Sequence, residues 1–237
     1  MTCIPTIDAY RTTSQRTRID RDHFFDQVRG SLFAGTLRQG QVDGLNALLD
    51  HWEARHGNED TRWLAYALAT AHHEVNKTYA PIREFGGVAY FRRMYDIEGS
   101  RPHIARRLGN LEPGDGARYC GRGFIQVTGR VNYARWAART GLDLVREPDL
   151  AMRWDVSARI LFEGMIDGIF TGKKLADYFD GLKEDWVGAR RIVNGVDRAR
   201  LIADYGRAFD DALIYAPAPS RAPKAAPAPT PRPDGAA

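Results

Sequence analysis

Apolar residues in this chain recur mainly at spacings of three and four, which is the period of an α-helix. The stretch DRDHFFDQVRGSLF offers Asp20 or Asp22 as an N-cap before such a stripe, and TRWLAYALATAHHEV follows another cap at Asp60. Between them, GQVDGLNALLDHWEARHG keeps the same period and ends at Gly57, where we expect a left-handed C-cap. Further helices are predicted at residues 133–140, 156–170, 175–179, 186–193 and 199–213.

Strand patterns are scarce by comparison. GFIQVT, residues 123–128, is the best candidate, and an extended chain there would put Phe124, Gln126 and Thr128 on one face. Residues 76–119 show no sustained period, so we expect long irregular connections, which in compact domains are commonly functional. These patterns predict a mainly α fold with at most a small β element.

The two ends of the chain differ in composition from its middle. Residues before about position 20 are polar and aperiodic, and APAPSRAPKAAPAPTPRPDGAA has too few large apolar groups to offset the entropy of ordering. We therefore predict an extended lead-in at 1–20, one catalytic-sized domain at 21–215 and a disordered tail at 216–237. With 237 residues, 43% of them hydrophobic, the chain can build one sizeable core.

The charge balance is only mildly basic, with 34 Lys and Arg against 30 Asp and Glu. It favours acidic partners in general, but basic and acidic residues alternate, so we expect no nucleic-acid binding. The N-terminus has no apolar run behind its first charges, and no stretch reaches the roughly 18 apolar residues of a membrane span. We expect synthesis in the cytoplasm without a signal peptide, and no stable membrane insertion. Cys3 and Cys120 are too few for a disulfide framework.

Glu74 is a candidate general acid. It lies ten positions after Leu64, which at about 100° per residue places it at the border of the buried stripe of its helix. A carboxyl group partly removed from water favours its neutral form, and a general acid must hold a proton. The alternative is a solvated glutamate at the end of a helix.

Glu84, ten residues further on in APIREFGG, is a candidate general base. Two carboxyl groups in different environments suit acid and base roles in glycoside cleavage, and an inverting enzyme needs room for a water between them. The alternative is an ion pair with one of three nearby arginines, Arg83, Arg92 or Arg93.

His72 and His73 beside Glu74 raise the possibility of a metal site. HHEVN has no second histidine one turn beyond the glutamate, and adjacent side chains on a helix point about 100° apart. We expect no metal site, and we interpret His72 as a packed or hydrogen-bonded residue near the acid.

The stretch RYCGRGFIQVTGRVNYARW, residues 118–136, combines glycines with polar side chains. It lacks the lysine and hydroxyl that a phosphate loop places after its glycines. Gln126 can donate and accept, Thr128 can fix a water, and Asn132 and Tyr133 add an amide and an aromatic face. Such groups suit recognition of sugar hydroxyl and acetamido groups, and the alternative is a glycine-rich turn with incidental polar residues.

Together these segments resemble the catalytic domain of glycoside hydrolase family 19, which includes chitinases and phage-type endolysins. YCGRGFIQVTGRVNY is similar to the family signature Tyr-x-Gly-Arg-Gly-x-x-Gln-x-(Ser/Thr)-x-x-x-Asn-Tyr, and ATAHHEV resembles the helix that bears the acid. The resemblance implies that Glu74 is the acid, Glu84 the base and Thr128 the residue that holds the attacking water. It implies sugar contacts by the following residues: His73, Tyr119, Arg122, Gln126, Asn132, Tyr133, Asn194 and Arg200.

The resemblance also implies a bilobal, lysozyme-like, mainly α fold with a central substrate cleft, an inverting mechanism, no cofactor and a monomeric protein. The expected reaction is hydrolysis of β-1,4 bonds in a cell-wall polysaccharide that contains N-acetylglucosamine. IREFGG and LGNLEPGDGARYCGRG look more like the endolysin branch, which favours peptidoglycan over chitin. Export or release by another factor would then bring the protein to the wall.

Three departures from the family pattern leave alternatives open. The disulfide-forming cysteines of the plant chitinases are absent, and Phe124 stands where those enzymes commonly have proline. A one-residue shift in the loop would move the role of base, for which Asp96 and Glu98 are the reserve candidates. Chitinase activity is the first alternative, and a non-catalytic sugar-binding module is an alternative of another class.

Overall fold

The computed structural model describes residues 18–216. The predicted tail beyond Ala216 and most of the predicted lead-in lie outside this range. The last residues of the lead-in belong to the fold, because Ile19 is buried and pairs with Tyr215 in an antiparallel bridge. The two ends of the described chain therefore lie side by side.

α-Helices form most of the described chain. They are α1 (Arg21–Leu32), α2 (Gln39–His56), α3 (Thr61–Glu74), α4 (Val88–Tyr95), α5 (Pro102–Leu108), α6 (Asp115–Arg118), α7 (Arg130–Thr140), α8 (Trp154–Ile166) and α9 (Ala199–Ala212). Short 3-10 helices lie at Pro148–Met152, Leu175–Asp177 and Gly188–Ile192. Within residues 18–216, no helix is both long enough and apolar enough to cross a membrane.

The β structure consists of short antiparallel pairs. β1 (Ile82–Arg83) pairs with β2 (Arg122–Gly123), with Ile82 opposite Gly123. β3 (Phe179–Asp180) pairs with β4 (Lys183–Glu184). The prediction of a mainly α fold with a small β element is confirmed.

The predicted helix starts are capped as expected, but one predicted end is wrong. Asp20 accepts a hydrogen bond from the His23 backbone N–H, and Asp60 accepts one from that of Arg62. Gly57 has φ −58°, so it is right-handed instead of left-handed. The chain leaves α2 through another right-handed turn, in which the Glu59 N–H bonds to the His56 carbonyl.

α3 is the centre of the larger lobe. Eleven of its 14 residues are buried, and it packs against α8 and α9, while α1 covers α9 and α2 covers α8. The alanine-rich sequence of α3 allows its neighbours to pack closely, and Gly206 of α9 leaves room for the Trp186 ring, which a Cβ would approach to 2.7 Å. The last residue of α3, Glu74, is therefore held by the best-packed helix of the fold.

α4, α5 and α6 form a smaller lobe. Phe91 and Ala105 are buried there, apart from the main core cluster. Gly116 of α6 lies against α4, where an added Cβ would be 2.7 Å from the Phe91 carbonyl oxygen. The prediction of long irregular connections at 76–119 is therefore wrong. The sequence did not reveal these three helices because they are too short and too rich in arginine to show a hydrophobic period.

The predicted strand at 123–128 is also wrong. Only Arg122 and Gly123 are in a strand, and the chain then turns back so that Val127 bridges to Arg122. Gln126 has φ +53°, a left-handed conformation that ends the alternation of side chains. Phe124, Ile125 and Val127 are all buried in this turn. Their aromatic and β-branched side chains therefore indicate burial here, and not an extended chain.

His72 supplies a test of how this core depends on pH. Its ring is fully buried, and Nδ1 lies 3.0 Å from the Tyr79 hydroxyl. Burial lowers the pKa of His72 to about 3, with smaller contributions from Lys77 and His73. Between pH 6.5 and 3 the unfolded chain therefore binds a proton that the folded chain does not, and stability falls as pH falls.

We predict that wild type loses about 2 kcal/mol of unfolding free energy through His72 between pH 7 and pH 5. Urea unfolding at the two pH values measures the loss of unfolding free energy in each protein. The loss in His72→Phe should be smaller than the loss in wild type by about this amount. Burial also lowers the pKa of His51, to about 4. Because His51 is present in both proteins, its contribution cancels in the comparison. Equal losses in the two proteins would contradict the assignment to His72.

Candidate active site

Glu84 is held by two neutral hydrogen-bond donors. Its Oε1 accepts from the Tyr95 hydroxyl at 2.8 Å, and its Oε2 accepts from the Gly121 backbone N–H at 3.0 Å. Its own N–H bonds to the Gly121 carbonyl. Burial, together with the bond to the carboxylate, raises the pKa of Tyr95, so the phenol stays a donor. Each carboxylate oxygen keeps a lone pair for a further partner.

Gln126 lies next to this carboxylate. A Cβ built on Gly121 would be 2.8 Å from Gln126 Oε1 and 3.1 Å from Glu84 Oε2, so both groups approach the same glycine. Gln126 Nε2 donates to the carbonyls of Ile82 and Gly123, which stabilises its left-handed backbone. Because its amide hydrogens are used internally, only the side-chain oxygen of Gln126 is left to meet a ligand.

Thr128 and Asn132 follow on the same segment. The Thr128 hydroxyl donates to the Gln126 carbonyl at 3.0 Å, and Asn132 Nδ2 donates to the Thr128 carbonyl at 2.7 Å. The Thr128 Oγ1 lone pairs and the Asn132 Oδ1 are then the acceptors that remain. This segment presents acceptor atoms, whereas its donors fix the turn.

The residues of this segment line a cavity of about 220 Å³. Its polar lining is Gln126, Thr128 and Asn132. Its apolar lining is Leu108, Ile125, Val127, Trp136, Ile169, Phe170 and Val193. A small mixed cavity of this kind suits a group with one apolar end and one hydrogen-bonding end.

Glu74 is held in a different way, by the charge of Arg190. Arg190 is buried, and its Nη1 lies 3.0 Å from Glu74 Oε1, while its Nε donates to the Asp197 carbonyl. The Arg190 carbonyl accepts from the N–H groups of Val193 and Asn194. Val193 also lines the cavity with Thr128, so the turn that follows Arg190 borders this cavity.

Three residues that the signature suggested as sugar contacts are buried. Tyr119, Arg122 and Tyr133 are at most 3% exposed. Arg122 pairs with Asp149 and donates to the Tyr133 hydroxyl, which in turn donates to the Cys120 carbonyl. The structure thus corrects this part of the prediction, since these side chains hold the glycine-rich segment in place and offer no surface to a ligand.

The remaining predicted contacts lie at the edge of the site or beyond it. His73 is half-buried beside Glu74, and Asn194 is exposed in the loop before α9. Arg200 is exposed on α9 and lines a separate groove with Arg191 and Arg198. The arginine that contacts Glu74 is Arg190, a residue that the sequence analysis did not single out.

The reserve bases lie elsewhere. Asp96 is buried, and its Oδ2 accepts from the backbone N–H groups of Gly114 and Gly116, so it fixes the start of α6. Glu98 lines a cavity of about 460 Å³ with Asp96 at the end of α4. Of the three carboxylates, the structure places Glu84 beside Gln126.

Tyr95 and Arg190 contact the two candidate carboxylates, and neither was predicted from the sequence. Tyr95 reaches Glu84 only because α4, which the periodicity did not reveal, folds over β1. Arg190 and Arg191 are adjacent, and their identities do not distinguish the buried side chain from the exposed one. The only sequence signal for Arg190 is its position four residues before Asn194, for which the resemblance implied a sugar contact.

Comparison with known proteins supports the fold. No family model and no curated protein matches the chain. Among solved structures, chitinase C from Streptomyces griseus HUT6037 matches with a TM-score of 0.51 and 18% sequence identity, over 85% of this chain and 95% of that chain. A mutant of chitinase C matches with a TM-score of 0.47 and 17% identity over the same shares.

The chain thus has a mainly α fold of the kind found in chitinase C, and the prediction of that fold class is confirmed. This likeness agrees with the resemblance of the signature to glycoside hydrolase family 19.

The pair of Arg190 and Glu74 gives a stability prediction. Arg190→Leu should cost about 2 to 3 kcal/mol, because the partly buried Glu74 carboxylate and the Asp197 carbonyl both lose a donor. Urea unfolding of Arg190→Leu, Glu74→Gln and the double variant forms a double-mutant cycle. A coupling energy near zero would show that the contact does not stabilise the fold.

Proposed function

We propose that the protein is an inverting glycoside hydrolase that cleaves β-1,4 bonds in a polymer of N-acetylated sugars. One observation carries the proposal. Glu84, both oxygens of which accept hydrogen bonds, lies next to Gln126, and Gln126 belongs to the same segment as Thr128. Glu74, on the rigid end of α3, is the second carboxyl group. An inverting hydrolase requires such a pair.

Glu84 and Thr128 are suited to orient a water molecule. The Thr128 hydroxyl hydrogen is bonded to the Gln126 carbonyl, so Oγ1 accepts one proton of the water and Glu84 accepts the other. A lone pair of the water then points away from both residues, toward the anomeric carbon. As the new bond forms, Glu84 takes the proton, and its bonds to Tyr95 and Gly121 keep the carboxylate from turning away.

Glu74 is the proposed general acid. One oxygen accepts from Arg190, and the other carries the proton that goes to the leaving glycosidic oxygen. The position of this carboxyl group is fixed by α3 and by the hydrogen bond from Arg190, so little rotational freedom has to be lost in the transition state. The charge of Arg190 then stabilises the carboxylate that remains after the proton has left. The products are a free hydroxyl on one sugar and an inverted anomeric centre on the other.

The cavity of about 220 Å³ is the proposed site for an acetamido group. The methyl group would lie against its apolar lining, and the N–H would donate to Asn132 Oδ1 or Gln126 Oε1. An unsubstituted sugar would leave these acceptors unpaired, which disfavours polymers without the N-acetyl group.

We propose peptidoglycan as the substrate, which the protein would reach after release or export by another factor. IREFGG and the segment before the signature support this choice, because both resemble the endolysin branch. Chitin is the second candidate, since the protein that this chain resembles in fold is a chitinase. Both polymers carry acetamido groups and β-1,4 bonds. Product analysis on purified peptidoglycan and on chitin oligosaccharides distinguishes them.

Glu74→Gln and Glu84→Gln test the chemistry. Each should lower kcat by a factor of about 10² to 10⁴, because one proton transfer is lost, with little change in sugar binding. Release of reducing ends gives kcat and KM, and circular dichroism checks the fold. Glu98→Gln is the matched control and should stay within a factor of about two of wild type.

Full activity of either glutamine variant would show that its residue is not catalytic. If wild type binds N-acetylated oligosaccharides but releases no reducing ends from peptidoglycan or chitin, the protein is a sugar-binding module and the proposed reaction is wrong.

Thr128→Val tests whether Thr128 positions the attacking water. Valine keeps the shape of threonine but cannot accept the water's hydrogen bond, so kcat should fall by a factor of about 10 or more while KM changes little. Thr128→Ser restores the hydroxyl and should recover most of the rate. A large rise in KM with unchanged kcat would instead assign Thr128 to substrate binding.

A further inference from the structure

A second groove, of about 420 Å³, lies beside the candidate active site between the 3-10 helix Gly188–Ile192 and the start of α9. Its charged lining consists of Arg191, Arg198 and Arg200, all exposed. Its apolar lining includes Val187, Val196 and Leu201, which are unusually exposed for aliphatic residues, at 39%, 65% and 38%. The groove therefore presents cations and aliphatic surface together.

No carboxylate is among the described residues that line this groove, and in that part of the chain its arginines form no ion pair. The nearest acidic residues in the sequence are Asp185, Asp197 and Asp204, and none of them lines the groove. The Asp185 side chain accepts from the Gly188 N–H, and the Asp204 carboxylate pairs with Arg207. Three guanidinium groups that line one groove without a carboxylate favour an anionic ligand.

The groove is also linked to the proposed acid. The buried Arg190 bonds to Glu74 through Nη1 and to the Asp197 carbonyl through Nε. Val196 and Arg198, on either side of Asp197, both line the groove. The loop that holds Arg190 against Glu74 therefore also lines the groove.

We propose that the groove binds the acidic peptide stem of peptidoglycan, an inference that rests on the proposed function. The stem carries carboxylates, which suit the guanidinium groups, and alanine methyl groups, which suit the three aliphatic side chains. Chitin has neither. A polyphosphate chain would satisfy the arginines but leave the aliphatic surface in water. The groove would thus determine the preference for peptidoglycan over chitin.

The experiment compares two forms of one substrate. Purified glycan strands are used with their peptide stems, or after an amidase has removed the stems. Wild type should cleave the intact strands at least 5-fold more efficiently, measured as kcat/KM for release of reducing ends. Because both forms contain the same glycosidic bonds, the ratio isolates the contribution of the stem.

Arg191→Gln/Arg198→Gln removes two of the groove's cations. In this variant the ratio of intact to stem-free strands should fall to about one. The control, Arg29→Gln/Arg146→Gln, removes the same charge from residues that do not line the groove and should keep the wild-type ratio. A ratio of one in wild type, or equal ratios in the two double variants, would overturn the proposal.

A binding arm separates this proposal from the proposed reaction. Isothermal titration with a stem tripeptide of L-alanine, γ-linked D-glutamate and diaminopimelate should show binding to wild type that is at least 5-fold weaker in Arg191→Gln/Arg198→Gln. If wild type cleaves no polysaccharide but still binds the tripeptide in this way, only the reaction is wrong. If it cleaves N-acetylated polysaccharide and does not bind the tripeptide, only the groove assignment is wrong.

Discussion

The buried guanidinium of Arg190 is the constraint on which the arrangement of this site depends. A charge removed from water is costly unless it is paired and hydrogen-bonded. Arg190 meets this requirement only if the end of α3 and the loop before α9 lie at fixed positions, because its partners are the Glu74 carboxylate and the Asp197 carbonyl. The same contacts that satisfy the buried charge therefore join the proposed acid to the loop that lines the groove beside Arg198.

The two candidate carboxylates are held by opposite means. Glu74 belongs to the most buried helix and contacts a cation, whereas Glu84 follows a two-residue strand and is fixed by neutral donors. The second arrangement requires the backbone of Gly121 to come within hydrogen-bonding distance, and a side chain there would collide with Gln126 and Glu84. This explains physically why the segment carries glycine at that position.

The sequence predicted the parts of the fold that bury long stripes, and it missed the parts held by contacts distant in sequence. The periods around Phe24, Leu48 and Leu68 are long enough to identify α1, α2 and α3. α4 and α6 are short, and they are stabilised mainly by packing on each other around Phe91 and Gly116. No local pattern reports such packing.

The same distinction applies to the site. The signature located the segment that lines the cavity. It includes residues that face the cavity, such as Thr128, and residues that fix the segment through buried contacts, such as Arg122. Sequence spacing cannot separate the two groups, because the turn at Gln126 abolishes the alternation of faces that a strand would have. Only the fold shows which side chains remain available to a ligand.

Net charge gave little guidance to the partner, and the structure explains why. The excess of four positive charges is small, and many arginines form ion pairs or structural contacts, as Arg122 and Arg190 do. What distinguishes partners is where unpaired charge meets apolar surface. The cavity beside Thr128 is uncharged and suits a neutral acetamido group, whereas the groove beside Arg198 is cationic. Two neighbouring cavities of different polarity suit a substrate that joins a neutral sugar to an acidic substituent.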